Sequence, residues 1–180
     1  SQVFEKNHTL VLGWSDRIPP LIKEICVANM SAASGVLVIL AEKNKEDMER
    51  EIEQSVPDLR GSKIVCRTGS SMLRSDLKNA AVESARSIII LSDDTTGEAD
   101  LETIRTVLAI CKGLKNVKGQ IVAELDSVDN QSLVQTIGGE KVQCVVDQNQ
   151  IGRALYPLIR IHKRSPHHHW LGLEKARSEP

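Results

Sequence analysis

Aromatic residues are scarce in this chain: Phe4, Trp14, Tyr156 and Trp170 make up 2% of its 180 residues. Single-stranded nucleic acid is held by stacking bases on rings, and four scattered rings do not build such a platform. Positive charge is not in excess either. Lys+Arg 23 against Asp+Glu 24 leaves a net charge of -1, which argues against general attraction to nucleic acid or an anionic membrane surface. No apolar run approaches the ~20 residues that cross a bilayer, and the first residues lack the layout of a signal peptide. The four cysteines, Cys26, Cys66, Cys111 and Cys144, form no C-x-x-C pair and no zinc spacing. Each lies in an apolar segment, which predicts buried free thiols in a reducing compartment. What is present is 41% apolar and 26% charged residues, the composition of a soluble globular domain with a core of its own.

Short β-rich runs alternate with longer stretches of helical period. Thr9 to Trp14 reads as a first strand, followed by Ile18, Leu21, Ile22, Ile25 and Cys26 on one face of a helix. Pro19 and Pro20 fit its first turn, where a missing N–H costs nothing. Further strands are expected at 35–40, 63–67, 87–91, 120–125 and 142–146. Helices are expected at 43–56, from a Ser70-Ser71 cap to about 81, and at 101–111, 128–137 and about 150–161. Leu101, Ile104, Val107, Leu108 and Cys111 are expected to face inward, as are Val128, Leu133, Val134 and Ile137. Several strands are apolar throughout, as in a parallel sheet covered on both faces. The predicted fold is therefore α/β: a Rossmann-like, doubly wound, parallel six-stranded sheet over residues 1–161. Residues 162–180, basic at first and carrying His167-His168-His169, form an irregular tail.

In such a fold ligands bind beyond the carboxyl ends of the strands. A dinucleotide needs G-x-G-x-x-G after the first strand, and this chain has Gly13-Trp14-Ser15-Asp16-Arg17-Ile18. Only the first glycine is kept. Ser15 puts a side chain where a pyrophosphate would press, Asp16 adds negative charge, and Ile18 replaces the glycine that allows close helix packing. Glu42 ends the second strand where a ribose-binding acid would lie, but without the loop it reads as a solvated carboxylate. No nucleotide is expected, and no Ser/His/Asp or Cys/His constellation offers catalysis instead.

The strand ends carry acids. Asp16 follows the first strand and Asp93-Asp94 the fourth, with Glu98 and Asp100 behind; Glu124 ends the fifth, with Asp126 and Asp129 after it; Asp147 follows the sixth. Alternation puts Glu124 and Asp126 on one face. Together with Asp93 and Asp94 they are candidate ligands for a hard cation such as Ca²⁺, which takes 6–8 oxygens. No D-x-D-x-D-G loop is present. Acids at helix N-termini also cap and complement the dipole, which accounts for Asp94, Asp100 and Asp126 without a metal.

Gly13-Trp14-Ser15-Asp16, Leu40-Ala41-Glu42, Ser75-Asp76-Leu77-Lys78-Asn79-Ala80, Val122-Ala123-Glu124-Leu125-Asp126 and Ile151-Gly152-Arg153 resemble the RCK (regulator of K⁺ conductance) domains of ligand-gated channels. With Asn7 to Asp16, Glu46-Asp47-Met48-Glu49 and the segment from Asp147 to Arg153 in order, the chain is similar to the CASTOR/POLLUX ion channel family over residues 7 to about 155. The resemblance implies a non-enzymatic regulatory domain that self-associates into a gating ring and acts on a channel pore segment. In calcium-gated relatives two acids of the fifth-strand motif bind Ca²⁺, and they fall on Glu124 and Asp126. A third acid falls on Leu91, with Asp93 and Asp94 two and three residues later. The family is known from plant nuclear envelopes and has bacterial relatives. The expected location is therefore a membrane channel in the nuclear envelope of a plant, or the cytoplasmic face of a bacterial plasma membrane.

Two other functions suit the same fold. A nucleotide-sensing subunit of a K⁺ transport system wants the intact glycine loop. A Rossmann enzyme wants a catalytic Lys, Tyr or His in the strand-end clefts, whereas Tyr156 lies on the last helix and His8 at the opposite edge of the sheet.

Overall fold

A computed structural model describes residues 2–29, 35–92, 97–146, 151 and 154. Six strands pair in parallel: β1 (Thr9–Leu12), β2 (Val36–Ala41), β3 (Lys63–Thr68), β4 (Ser87–Ile90), β5 (Gln120–Glu124) and β6 (Val142–Val145). Their order is β3-β2-β1-β4-β5-β6, with Leu10 opposite both Val38 and Ile88. The chain reverses its direction of travel between β1 and β4, which opens the crevice where such sheets bind ligands. The doubly wound fold expected from the sequence is the fold observed.

Period two along the strands sorts the core into two layers. Leu10, Leu12, Val38, Leu40, Ile88, Ile90, Ile121 and Ala123 face one way. They pack against α3 (Arg74–Asn79), α4 (Ala99–Cys111) and α5 (Gln131–Gly138) through Leu77, Val107, Ile110 and Val134. Val11, Leu37, Ile39, Ile89 and Val122 face the other way. They meet Ile18, Ile22 and Ile25 of α1 (Ile18–Asn29) and Met48 and Ile52 of α2 (Lys45–Ser55). Ile151 and Ala154 are helical and join this second layer. The rest of the expected last helix and the tail from 162 lie outside the described residues.

Some local expectations are corrected. The third helix begins at Arg74, not at a Ser70-Ser71 cap, and its N-cap position, Leu73, makes no side-chain hydrogen bond. Ser70 instead gives its N–H to Asp76 Oδ2 at 2.8 Å, and its hydroxyl accepts the Met72 N–H at 3.2 Å. A left-handed Ala81 ends the helix, and a 3₁₀ turn at Val82–Ser84 precedes β4. The inward face of α4 is also rotated from the expected one. Thr103, Thr106, Val107 and Ile110 are buried, whereas Leu101 and Leu108 are 40% and 47% exposed. On the following elements Val134 is buried, but Val128 and Leu133 are exposed. Threonine can turn inward here because its hydroxyl finds a partner: Thr103 Oγ1 donates to the Glu124 carbonyl at 3.1 Å, and Thr106 Oγ1 lies 2.8 Å from Ser71 Oγ.

His8 sits at the amino edge of the sheet, 1% exposed, with Nε2 3.3 Å from the Ala80 carbonyl. All four cysteines are free; Cys26 and Cys66 are buried, Cys111 and Cys144 half-buried. Burial pushes every thiol up, that of Cys66 to about 11, so none is a ready thiolate at neutral pH.

Candidate functional site

The carboxyl edge is built around Glu124. Alternation along β5 directs its side chain to the α1 side, and the whole residue is 1% exposed. Such a carboxylate needs a counter-charge or strong donors. It has both. The Ser92 N–H donates to Glu124 Oε1 at 2.9 Å, and Arg17 Nη2 donates to the same oxygen in an ion pair whose side chains are 14% and 2% exposed. The same Nη2 donates to the Ser92 carbonyl at 2.7 Å. Arg17 thus reaches from the loop after β1, past the end of β4, to the last residue of β5.

The loop that carries Arg17 turns on Gly13, whose φ of +100° is a left-handed value that disfavours a side chain. A Cβ there would also lie 3.1 Å from the Leu91 carbonyl. Ser15 Oγ accepts the Arg17 N–H at 3.2 Å, and Ile18, fully buried, starts α1 where a dinucleotide fold has its third glycine. What remains open beside the loop is a cavity of about 80 Å³ lined by Gly13, Trp14, Glu42, Gly69, Ser71 and Thr103, among others. Pockets that bury a small organic ligand run to about 300–1,000 Å³. Glu42 is exposed, as a solvated strand-end acid should be. Lys43 covers the Trp14 ring at 5.5 Å.

Asp126 lies just beyond β5, exposed, and its Oδ1 accepts the Ser92 hydroxyl at 3.3 Å. Ser92 therefore touches both expected β5 ligands, one through its backbone and one through its side chain. Asp100, in the first turn of α4, fastens this loop rather than its own helix. Its carboxylate accepts the N–H groups of Asp126 at 2.7 Å and Ser127 at 3.1 Å, and the Asn130 side-chain amide at 2.6 Å. Asp93, Asp94 and Asp147 lie outside the described residues.

Taken by themselves, the described groups do not complete a divalent-cation site. Glu124 is held by Arg17, Leu91 offers no oxygen from its side chain, and Asp126 stands in solvent. Among the described residues no group of three or more His, Cys, Asp or Glu side chains could hold a metal ion. Sequence reasoning found Glu124 and Asp126 but missed Arg17 and Ser92. The signal for Arg17 was faint: a cation in the loop that faces the β5 acid, beside an Asp16 that makes it look like half of a surface pair.

Residues 4–136 match the calcium-activated potassium channel slowpoke-like RCK domain. The chain belongs to that family. It is 42% identical over 156 residues to the probable ion channel POLLUX of Arabidopsis thaliana, covering 86% of this chain and 19% of the relative. It is 39% identical over 161 residues to the ion channel CASTOR of Lotus japonicus, covering 89% of this chain and 19% of that one. The chain thus spans about a fifth of the length of these plant channels. In fold it is similar to the human SLO3 gating ring, with a TM-score of 0.57 at 17% identity, over 94% of this chain and 33% of that one. The RCK fold and the CASTOR/POLLUX resemblance expected from the sequence both hold. Among the described residues no helix is long and apolar enough to cross a membrane.

Proposed function

We propose that this RCK domain is the regulatory, non-enzymatic part of a CASTOR/POLLUX-like cation channel, and that copies of it assemble into a gating ring that moves the pore segment. The observation that carries the ring is the outer face of α4. Leu101 and Leu108, seven residues apart and hence on one side of the helix, are both substantially exposed, and Leu133 on α5 is 49% exposed. A lone domain gains nothing from leucines in water, whereas a second copy covering them buries apolar area. The plant origin of the relatives favours the nuclear envelope as the membrane that carries the pore.

Ca²⁺ is the ligand proposed for the domain, on the strength of the family's description as calcium-activated. Its proposed ligands are Glu124 and Asp126, with Asp93 and Asp94. No nucleic acid is proposed as a partner. The nucleotide-sensing alternative gains no support from a cavity of about 80 Å³ beside Gly13.

Sedimentation of the purified chain over a range of concentrations, with and without Ca²⁺, tests the ring. The expected result is concentration-dependent association that Leu101→Glu/Leu108→Glu abolishes while the domain stays folded. A monomer at every concentration, indifferent to the double substitution, would count against assembly through this face.

A further inference from the structure

A net charge near zero conceals a separation of charge between the two edges of the sheet. At the carboxyl edge Asp16, Glu42 and Asp126 are exposed. Where β4, β5 and β6 begin, the charge is positive. Arg86 stands directly before β4, Lys118 two residues before β5 and Lys141 directly before β6, and these strands are neighbours in the sheet. Lys112 caps the C-terminus of α4, and Lys115 lies in the loop from there to β5. Leu114 and Val117 of that loop are buried, and Lys141 Nζ donates to the Val117 carbonyl. Lys112, Lys115 and Lys118 are left exposed. Gly119 closes the loop against Arg86, where a Cβ would lie 2.9 Å from the Arg86 carbonyl. Lys112 and Lys141 both reach the Cys111 thiol electrostatically, so the cations share one corner.

Neighbouring acids do not neutralise it. Glu5 pairs with Lys63 at 3.5 Å and Glu83 with Lys78 at 3.8 Å. Among the described residues Arg86, Lys112, Lys115 and Lys118 make no ion pair, and the acid adjoining the corner is Glu140, beside Lys141 in sequence. Like charges gathered in this way repel one another, a cost that an opposing negative surface removes.

We infer that this corner docks the domain on an anionic membrane surface. Lysine outnumbers arginine here, and an ammonium on a flexible stem suits a diffuse negative layer better than one phosphate held bidentately. Groups of roughly four to eight such cations beside a bilayer are what anionic lipid attracts. The attraction is local. It acts within about 8 Å at physiological salt, in the orientation that turns the acidic edge away. The choice of a bilayer over a soluble acidic partner rests on the proposed place of the domain beside a channel pore; it does not require the ring.

Co-sedimentation of the 180-residue chain with sucrose-loaded vesicles tests this. The vesicles are phosphatidylcholine alone, or phosphatidylcholine with one part in three of phosphatidylserine. The wild type is expected on the mixed vesicles only, and to leave them at high salt. Lys112→Gln/Lys115→Gln/Lys118→Gln should weaken that binding about a hundred-fold, at about five-fold per lysine. Lys23→Gln/Lys45→Gln/Arg50→Gln removes the same charge from α1 and α2 and should stay within a few-fold of the wild type. Circular dichroism melts run beside each variant.

No binding of the folded wild type to mixed vesicles overturns the docking surface and leaves the ring untouched, since sedimentation without lipid decides that separately. Equal losses in the two triple variants assign the attraction to overall charge and overturn it as well. A poly-glutamate peptide that binds at this corner when mixed vesicles do not would give the face to an acidic protein segment instead.

Discussion

Glu124 and His8 lie at opposite edges of the same sheet, each 1% exposed, and each is accommodated by a different device. At the carboxyl edge the charge is kept and matched by Arg17 and the Ser92 N–H. At the amino edge the imidazole faces one backbone carbonyl, and its Nδ1 is buried with no hydrogen-bond partner among the described residues. Burial pushes the His8 pKa below its usual 6.5, more than the Ala80 carbonyl and the nearby Glu5 raise it. One edge is a matched charge pair that the loss of either member disturbs. The other is a neutral group that only acid disturbs.

The comparison is broken most forcefully at the pair. Removing one member leaves the other buried without its counter-charge, so Arg17→Leu or Glu124→Leu should cost about 3–5 kcal/mol in urea unfolding. The double variant Arg17→Leu/Glu124→Leu should recover most of that loss, because no charge is then left in the interior. Two single losses that simply add in the double variant would show that the residues are not coupled.

Next in size is Asp100. It accepts three hydrogen bonds that tie the loop after β5 to α4. Bonds to a charged acceptor are each worth about 1.5–3 kcal/mol and are not additive, so Asp100→Ala should cost about 2 kcal/mol. Amide exchange at Asp126 and Ser127 should speed up first, with β4 unaffected. A global loss without that local signature would move the role of Asp100 from the loop to the helix itself.

The amino edge gives a smaller, pH-dependent effect. Its sign follows from the lowered folded-state pKa: the unfolded chain takes up the His8 proton first. The contribution is therefore complete above about pH 6.5 and is lost as pH falls from there through the lower folded value. One such group gives a slope of at most about 1.4 kcal/mol per pH unit. His8→Gln should flatten the wild-type decline between pH 6.5 and 5. An unchanged slope in that variant would assign the acid sensitivity to other groups.

These two edges also differ in how far the sequence discloses them. The order of strands and helices follows from where period two gives way to period 3.6. The choice of a parallel sheet follows from runs such as Ser87 to Leu91 that can tolerate no water on either side. The acids at the strand ends were legible because an α/β sheet puts its strand termini in one place. Arg17 was not, because whether a loop side chain turns to solvent or across three strands depends on backbone angles set by Gly13 and by the packing of Ile18. α4 misled for a related reason. Its leucines at 101 and 108 suit an inward stripe as well as its threonines do, and only the position of the Glu124 carbonyl and Ser71 decides that the threonines go in.

That rotation of α4 yields the smallest expected effect on stability. Leu101→Glu and Leu108→Glu alter exposed positions, and surface substitutions of this kind usually stay within about 0.5 kcal/mol. Unfolding of the dilute monomer should therefore be nearly that of the wild type. Association should not be: a carboxylate on each protomer within an apolar contact must be desolvated without a partner, a cost of several kcal/mol that a weak interface cannot absorb. If unfolding of the dilute monomer shifts by 2 kcal/mol or more, the leucines belong to the core after all. If neither stability nor association moves, this face is plain surface and the ring is built elsewhere.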